Sequence, residues 1–369
     1  MNFSFDEEQR EFASTLRRAL KERAPVSRWL RPGAAVEEDP AWPLLVSDLQ
    51  AAAPDAPSEA GGLDLSAVEL AIIAEELGRV VAPPAFTAGV GLAQGLLLEA
   101  MREDGLGRAA GKALAGSAAG QRMLLGASAD RPWSQLVLDG DGTVSGTFIA
   151  AVGAVGAQTV VAVAESPEGR ALVSVDAAAV NLTPLAGIDP SAGSAMVELT
   201  GAPATVLLRH GVDEVLTWAL RRARVAVAAE ALGGARACLE MTALYATQRE
   251  QFGVAIGTFQ AVKHRLADLL VEIELTASAV YRAACELTAR DASSELSGRV
   301  ALDVASATFQ RAARDCIQLH GGMGFTWEHP AHLFLERAQL LAVLLGPPDP
   351  AARYALVQAV RDVATVEES

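Results

Sequence analysis

The stretches REQFGVAIGTFQAVKH, residues 249–264, and QLHGGMGFTWEH, residues 318–329, decide the fold. Both lie in the last third of the chain, where the apolar residues follow a helical period from Asp213 onward. Between Phe259 and Arg290 they recur at i, i+3, i+4 and i+7, as a long bundle helix requires. The sequence therefore predicts a helical bundle that carries both glycine-containing stretches.

The rest of the chain has a helical region and a strand-rich region. Before about residue 120 the period is helical, and Ser66 is a good N-cap for the helix after it. From 120 to 209 the chain has short runs rich in Val, Leu and Thr, and Asp139–Gly142 is a strong hairpin signal. We therefore predict an α+β fold with an all-α domain over 1–119, an antiparallel β-barrel or sandwich over 120–209 and an α-helical domain over 210–369.

The composition argues against several classes of function. The 369 residues carry a formal net charge of −15, so no general positive field attracts nucleic acid. The cysteines are odd in number and far apart, and His329 and His332 lie across Pro330 without the spacing of a zinc site, so we expect no metal. The N-terminal segment is acidic and amphipathic, and no window reaches the ~18 uncharged apolar residues of a membrane span. We therefore expect a cytoplasmic protein that does not enter the membrane.

Both glycine-containing stretches closely resemble motifs of the acyl-CoA dehydrogenase family. Residues 249–260 are similar to its R-x-x-F-G…F-Q motif, and residues 318–325 to its Q-x-H-G-G-x-G-[YF] motif. With the order of helices, β domain and helices, the resemblance extends over nearly the whole chain. It implies an acyl-CoA dehydrogenase-like fold: an N-terminal helical domain, a middle antiparallel β domain, and a C-terminal four-helix-bundle domain that binds FAD and mediates oligomerisation.

The residue types of these motifs suit a dinucleotide. A guanidinium such as that of Arg249 can bind a diphosphate in a bidentate way, and Phe252 offers a flat apolar wall. Taken singly, an Arg-x-x-Phe sequence is usually a surface cation beside a core aromatic, and a Gly-Gly pair is usually a helix C-cap. In the family, the arginine, the glutamines and the glycine pair reach the FAD of a neighbouring subunit. The resemblance implies an FAD site made of Arg249, Gln251, Phe252, Ile256, Phe259, Gln260, Gln318, Leu319, Gly321 and Gly322.

The sequence does not show the carboxylate base of this family. Family members remove the α-proton of an acyl-CoA thioester with a glutamate, while the β-hydrogen leaves as hydride to the flavin. The two positions at which members carry that glutamate correspond to Leu345 and Ala223, and neither side chain can accept a proton. Glu230 lies roughly 10 Å beyond Ala223 on a continuous helix, which a glutamate cannot span. Asp349 follows in a proline-rich stretch, so both acids are weak candidates that would otherwise be capping or solvated carboxylates.

The β domain departs from the family as well. Members use a T-E-P-x-x-G-S-D segment and a W-I-[TS]-N strand to contact the flavin ring and the substrate. Near the expected places this chain has Ala127–Asp130 and Thr147–Ala150. The resemblance therefore implies an intact site for the adenine and pyrophosphate half of FAD and an eroded site for the reactive ring.

These features predict a subunit of an FAD-dependent acyl-CoA dehydrogenase that desaturates an acyl-CoA thioester and passes electrons to an electron-transfer flavoprotein. The stretch Gly324–His329 resembles actinobacterial members that act in pairs on CoA thioesters of steroid side chains. A heterotetramer with a second acyl-CoA dehydrogenase is therefore expected, beside the alternative of a homo-oligomer. Two other functions stay open: a catalytically silent partner of an active homologue, and a flavin-dependent oxygenase or oxidase of the same fold.

Overall fold

The N-terminal region of the chain is helical. The structure is a computed structural model that describes residues 5–31, 36, 39–103, 108–126 and 136–345. Its first helices are α1 (Glu7–Arg23), α2 (Ala41–Pro43, continued by a π-helical turn over Leu44–Asp48), α3 (Ala67–Gly78), a π-helical segment (Phe86–Ala93) that runs into α4 (Gln94–Glu103), and α5 (Arg108–Ala118). Ser66 caps α3 as predicted, because its hydroxyl accepts the N–H of Val68 at 3.1 Å while Glu69 accepts the N–H of Ser66 at 2.9 Å.

The middle of the chain is a closed β-barrel. Its strands are β1 (Met123–Gly126), β2 (Val137–Leu138), β3 (Thr143–Ala150), β4 (Thr159–Ser166), β5 (Gly169–Asp176), β6 (Asn181–Pro184) and β7 (Ala195–Leu208). Pairing runs in a circle from β2 to β3, β7, β5, β4 and back to β2, while β1 pairs with β4 and β6 with β7. Apolar side chains such as Phe148, Ala162 and Val197 fill the interior. The predicted hairpin at Asp139–Gly142 joins β2 to β3.

The predicted antiparallel β domain is confirmed in most of its strand pairs, but two pairings are parallel. β1 runs parallel to β4, with Met123 opposite Thr159, and β2 meets β4 in parallel through Val137 and Glu165. A parallel pair needs a long crossover connection, and here the β2–β3 hairpin lies within the connection from β1 to β4. The short spacing of the strands indicated only how neighbours in sequence pair, so it missed these contacts.

The C-terminal region is a four-helix bundle, as predicted. Its helices are α6 (Val212–Gln248), α7 (Gln260–Thr288), α8 (Ser294–His320) and α9 (Ala331–Val343). Two very short strands, β8 (Glu250–Gln251) and β9 (Val254–Ala255), and the 3-10 turn Ile256–Thr258 connect α6 to α7, and the 3-10 turn Gly321–Phe325 follows α8. Among the residues that the structure describes, no helix has the length and hydrophobicity that crossing a bilayer requires.

Helices α6 and α8 run in the same direction and end side by side. Arg224 in the first half of α6 donates to Glu295 at the start of α8 at 2.8 Å, and the ring of Tyr245 near the end of α6 stacks on His320 at the end of α8, with centroids 4.3 Å apart. The turns that follow these two helices therefore lie at one end of the bundle. These turns contain the glycines of the two motif stretches, residues 249–264 and 318–329.

Candidate functional site

The two motif stretches form one surface, which we call the bundle end (residues 249–260 and 318–329). Its first half is a tight hairpin between β8 and β9, in which the N–H of Ile256 donates to the carbonyl of Arg249 at 2.8 Å. The two turn residues, Phe252 and Gly253, have φ values of 56° and 80°. A two-residue hairpin turn with both φ values positive matches the twist of the strands, although this conformation is unfavourable for a phenylalanine. The turn holds the Phe252 ring outward, 93% exposed.

The second half of the bundle end is the glycine turn after α8. Gly321 has a φ of 62°, and a Cβ built on Gly321 or Gly322 would meet no atom within 4 Å. Gly324, by contrast, lies so close to α8 that a Cβ would come within 2.5 Å of the carbonyl oxygen of Ile317. The turn therefore folds back on α8 through Gly324 and leaves the backbone of Gly321 and Gly322 open to a ligand.

His320 supports this turn from below. Its Nδ1–H donates to the carbonyl oxygen of Cys316 at 2.7 Å, which fixes the proton on that nitrogen. The buried ring lies against Tyr245 and His329, each with its centroid 4.3 Å from that of His320. Packing on both sides and a hydrogen bond along the helix fix the place at which the glycine turn begins.

The bundle end exposes a cation and aromatic rings on one surface. Arg249, Gln260 and Gln318 are exposed, and no described residue forms a hydrogen bond or ion pair with the Arg249 guanidinium. Phe325 and Trp327 are about as open as Phe252, at 77% and 75% exposure. Exposed aromatic residues in such a group mark a surface that another molecule covers.

The structure gathers the predicted cofactor residues at this end. Phe259 packs edge-on against Phe252 with a centroid separation of 6.3 Å, and Ile256 and Leu319 are half-buried beneath the surface. Gln251 is exposed, with its side-chain amide donating to the carbonyl of Glu250 at 2.8 Å. Their contact with a cofactor stays a prediction.

The two family positions for the glutamate base also meet, in a different region of the molecule. Ala223 belongs to a small apolar cluster against which Leu345 packs, and we call it the base-position cluster. Its buried members are Ala88, Leu92, Val152, Ala192 and Ala223, and its half-buried neighbours are Leu125, Leu340, Leu344 and Leu345. Ala223 is only 2% exposed, and no side chain in the cluster can accept a proton.

Glu230 is engaged in a buried ion pair. Its carboxylate accepts hydrogen bonds from the hydroxyl of Thr87 and from the guanidinium of Arg337. Arg337 also donates to Asp189 at 2.5 Å and to Ser191 at 2.7 Å. We call Glu230, Asp189 and Arg337 the buried ion bridge. Burial disfavours the charged guanidinium, but the two carboxylates outweigh this effect and raise the pKa of Arg337.

Glu336 is an acid that the sequence analysis missed. Burial, with a smaller contribution from the nearby charge of Asp189, raises its pKa to about 7, and among the described residues its Oε2 has no hydrogen-bond partner. It lies eight residues before Leu344, roughly 12 Å along a helix, so it cannot replace the base beside Leu345. No local signal distinguishes it from a solvated acid, because Asp189 comes from a distant segment of the chain.

The structure describes some of the residues that were predicted near the flavin ring or as its base, and it does not describe others. In β3, Phe148 and Ala150 point into the barrel while Thr147 and Ile149 are exposed, so the segment Thr147–Ala150 presents a single hydroxyl and otherwise apolar groups. Asp349 and Ala127–Asp130 lie outside the described residues.

Comparison with known proteins gives concordant results. The family models "Acyl-CoA dehydrogenase, N-terminal domain" and "Acyl-CoA dehydrogenase, C-terminal domain" match residues 6–120 and 210–351. Acyl-CoA dehydrogenase IpdE2 of Mycobacterium tuberculosis is 34% identical over 307 residues, which cover 83% of this chain and 82% of that protein. IpdE2 of Mycolicibacterium smegmatis is 30% identical, with coverages of 83% and 84%.

Solved structures have the same fold over the whole length. A variant of the steroid ACAD Tcur3481–Tcur3483 superposes with a TM-score of 0.78 and 28% identity, covering 98% of this chain and 99% of that one. The ChsE4–ChsE5 complex from Mycobacterium tuberculosis gives a TM-score of 0.82 at 23% identity, with 99% of each chain covered, and supports the fold alone. The chain belongs to the acyl-CoA dehydrogenase family.

Proposed function

We propose that this chain is a subunit of an FAD-dependent acyl-CoA dehydrogenase, to which it contributes the adenine and pyrophosphate half of a flavin site and no base. The single observation that carries the proposal is the open bundle end, where no described residue pairs with the guanidinium of Arg249. The reaction is the α,β-desaturation of an acyl-CoA thioester in the cytoplasm. When bound, FAD would supply the hydride acceptor, and an electron-transfer flavoprotein would be the partner that receives the electrons.

The bundle end fits one half of FAD. An exposed guanidinium that no described residue pairs with suits a diphosphate, and the open backbone at Gly321 and Gly322 suits an adenosine that approaches closely. Arg249, Gln260 and Gln318 would hold this half together with the two glycines. The base-position cluster fits the other half poorly, because the described residues there are apolar and offer no side-chain donor to a flavin ring.

The distance between the two regions argues for a second chain. Helix α6 carries Ala223 and ends at Gln248, so the base-position cluster and the bundle end are roughly 37 Å apart along its axis. This gap exceeds the length of an extended FAD. A flavin held at the bundle end therefore cannot place its ring at the base-position cluster of the same chain, which supports a ring site in another polypeptide.

The second chain in this proposal is an unlike acyl-CoA dehydrogenase that carries the glutamate. A homo-oligomer would join bundle ends only to base-position clusters that lack a base. The Tcur3481–Tcur3483 steroid ACAD, which is 28% identical, bears the names of two polypeptides, and this supports a heterotetramer that acts on a steroid acyl-CoA.

The test is to purify the chain together with the product of its neighbouring gene, and to compare Arg249→Ala with Arg299→Ala. Loss of a charge-assisted contact of about 1.5–3 kcal/mol should weaken FAD retention by the Arg249 variant roughly 10- to 150-fold. The Arg299 variant, altered at an exposed helix position that pairs with Glu295, should retain FAD like the wild type. A pair that gains neither bound flavin nor dehydrogenase activity would contradict the proposal.

A second candidate function is a silent partner that only stabilises an active homologue. The closed, apolar base-position cluster favours it, because such a partner needs no site of its own. In that case Arg249→Ala would leave both the flavin content and the activity of the pair unchanged.

A further inference from the structure

The helices beside Ala223 pack through small residues with little space between them. A Cβ on Gly91 would lie 3.1 Å from the Cβ of Ala226, and one on Gly95 would lie 3.4 Å from the Cα and Cβ of Ala219. We call these four residues the glycine seam. It joins the π-helical segment and α4 to α6 on both sides of Ala223 along the helix. A contact this close leaves no room for an alkyl chain between the helices.

Hydrogen bonds of the buried Arg222 side chain hold the two sides of the glycine seam together. Its guanidinium donates two hydrogen bonds to the carboxylate of Asp55, at 2.7 and 2.6 Å, and others to the backbone carbonyls of Val90 and Gly91. A π-helical segment has carbonyl groups that the regular helical pattern does not satisfy, and a buried cation is a strong donor to them. Separating α6 from the π-helical segment would leave these charged and polar groups unpaired.

The buried ion bridge closes the other side of the base-position cluster. Four segments of the chain each contribute to both groups. In each segment, a residue of the bridge or one of its hydrogen-bond partners lies within seven positions of a residue of the cluster or of its half-buried neighbours. The corresponding residues are Thr87 and Ala88, Glu230 and Ala223, Ser191 and Ala192, and Arg337 and Leu340. The cluster and the bridge are therefore built from the same segments of the chain, and the side chains of the bridge are 1–3% exposed.

We propose that this chain is closed to the acyl group of the substrate, because the glycine seam and the buried ion bridge seal the base-position cluster. An acyl chain whose α-carbon approached Ala223 or Leu345 would have to separate a pair of packed helices or displace a charged trio from a low-dielectric interior. The partner chain must then hold the whole acyl group. This inference rests on the proposed function, since it states which half of the shared site this chain does not supply.

Hydrogen exchange with two ligands that differ only in the acyl chain tests the closure. The full chain is incubated with free CoA or with decanoyl-CoA, and exchange is followed by mass spectrometry in peptides that cover residues 86–95 and 219–230. We expect the same exchange rates, within about twofold, for the two ligands. Slower exchange in these peptides with decanoyl-CoA than with CoA overturns the proposal.

Calorimetric titration of the same chain completes the test. Equal affinity for CoA and decanoyl-CoA supports closure. Tighter binding of decanoyl-CoA without added protection in the two peptides places the acyl group on another surface and also leaves the cluster closed. Failure of the proposed function has a separate signature, since it is measured as absence of flavin from the purified pair.

Discussion

The bundle end and the base-position cluster differ in the exposure and pairing of their arginine side chains, although one helix connects the two regions. Arg249 faces solvent, and no described residue pairs with its guanidinium. Arg337, behind the cluster, is 1% exposed, and all three of its guanidinium nitrogens donate hydrogen bonds. An exposed cation without a partner is available to an anionic ligand, whereas a buried and fully bonded cation belongs to the structural core. This difference underlies the proposal that the bundle end binds FAD and that the base-position cluster is sealed.

The largest expected effect on stability comes from removing the buried cation of the sealed region, by which we mean the base-position cluster together with the buried ion bridge. Arg337→Met leaves Glu230 and Asp189 buried without a cation, and this should lower the free energy of unfolding by about 3–5 kcal/mol. Arg170→Met is the matched control, because Arg170 also bridges two carboxylates, those of Glu165 and Asp213, but is 39% exposed. The control should lose about 0–1 kcal/mol. Urea unfolding measures both, and equal small losses would show that the bridge does not hold the region closed.

Alanine substitutions at two glycines, one buried and one at the bundle end, compare the same difference between packed and open surfaces. A Cβ on Gly233 of α6 would lie 1.8 Å from the carbonyl oxygen of Glu75, whereas one on Gly322 at the bundle end would meet nothing within 4 Å. We expect Gly233→Ala to destabilise the chain by about 1–3 kcal/mol through overpacking. Gly322→Ala should change stability by less than about 0.5 kcal/mol while weakening FAD retention by the pair. Thermal unfolding and flavin content give both values, and a large stability loss at Gly322 would refute an open bundle end.

The bundle end was the more predictable of the two regions. Its motifs are contiguous in sequence, and the helical period from Asp213 onward already assigns both motifs to the helical bundle. Parallel α6 and α8 then bring the motifs together. The structure adds what periodicity cannot show, namely that the Phe252 turn has positive φ and that Arg249 is left unpaired by the described residues.

The sealed region was predictable only as a missing base. Ala223 and Leu345 were identified as apolar at the positions where a glutamate is needed, but nothing in the sequence showed that they meet in one cluster. The ion bridge joins α6, α9 and the loop between β6 and β7, so no local pattern reveals it. Glu230 resembled a solvated acid because burial of a charge depends on partners that are distant in sequence. The parallel pairing of β1 with β4 was missed for the same reason.

The smallest expected effect concerns Glu336, a poorly compensated acid beside the ion bridge. Because burial raises its pKa from 4.5 to about 7, the folded chain binds this proton more tightly than the unfolded chain does. The resulting contribution to stability is fully present below about pH 4.5 and is lost as the pH rises to about 7. Glu336→Gln removes this loss, so the variant should gain stability over the wild type as the pH rises through this window. The gain at about pH 8 should be below about 1 kcal/mol, because the side chain is only half-buried and solvent screens it.

Unfolding curves of Glu336→Gln at about pH 4.5, 6 and 8, beside those of the exposed control Glu328→Gln, measure this dependence. In the control the difference from wild type should not change over the range, since the Glu328 side chain is exposed on a turn. A difference for Glu336→Gln that is equally independent of pH would mean that water reaches the carboxylate. The sealed region would then not include Glu336. The boundary between the closed and open sections of α9 would lie nearer to Arg337 than the burial of Glu336 indicates.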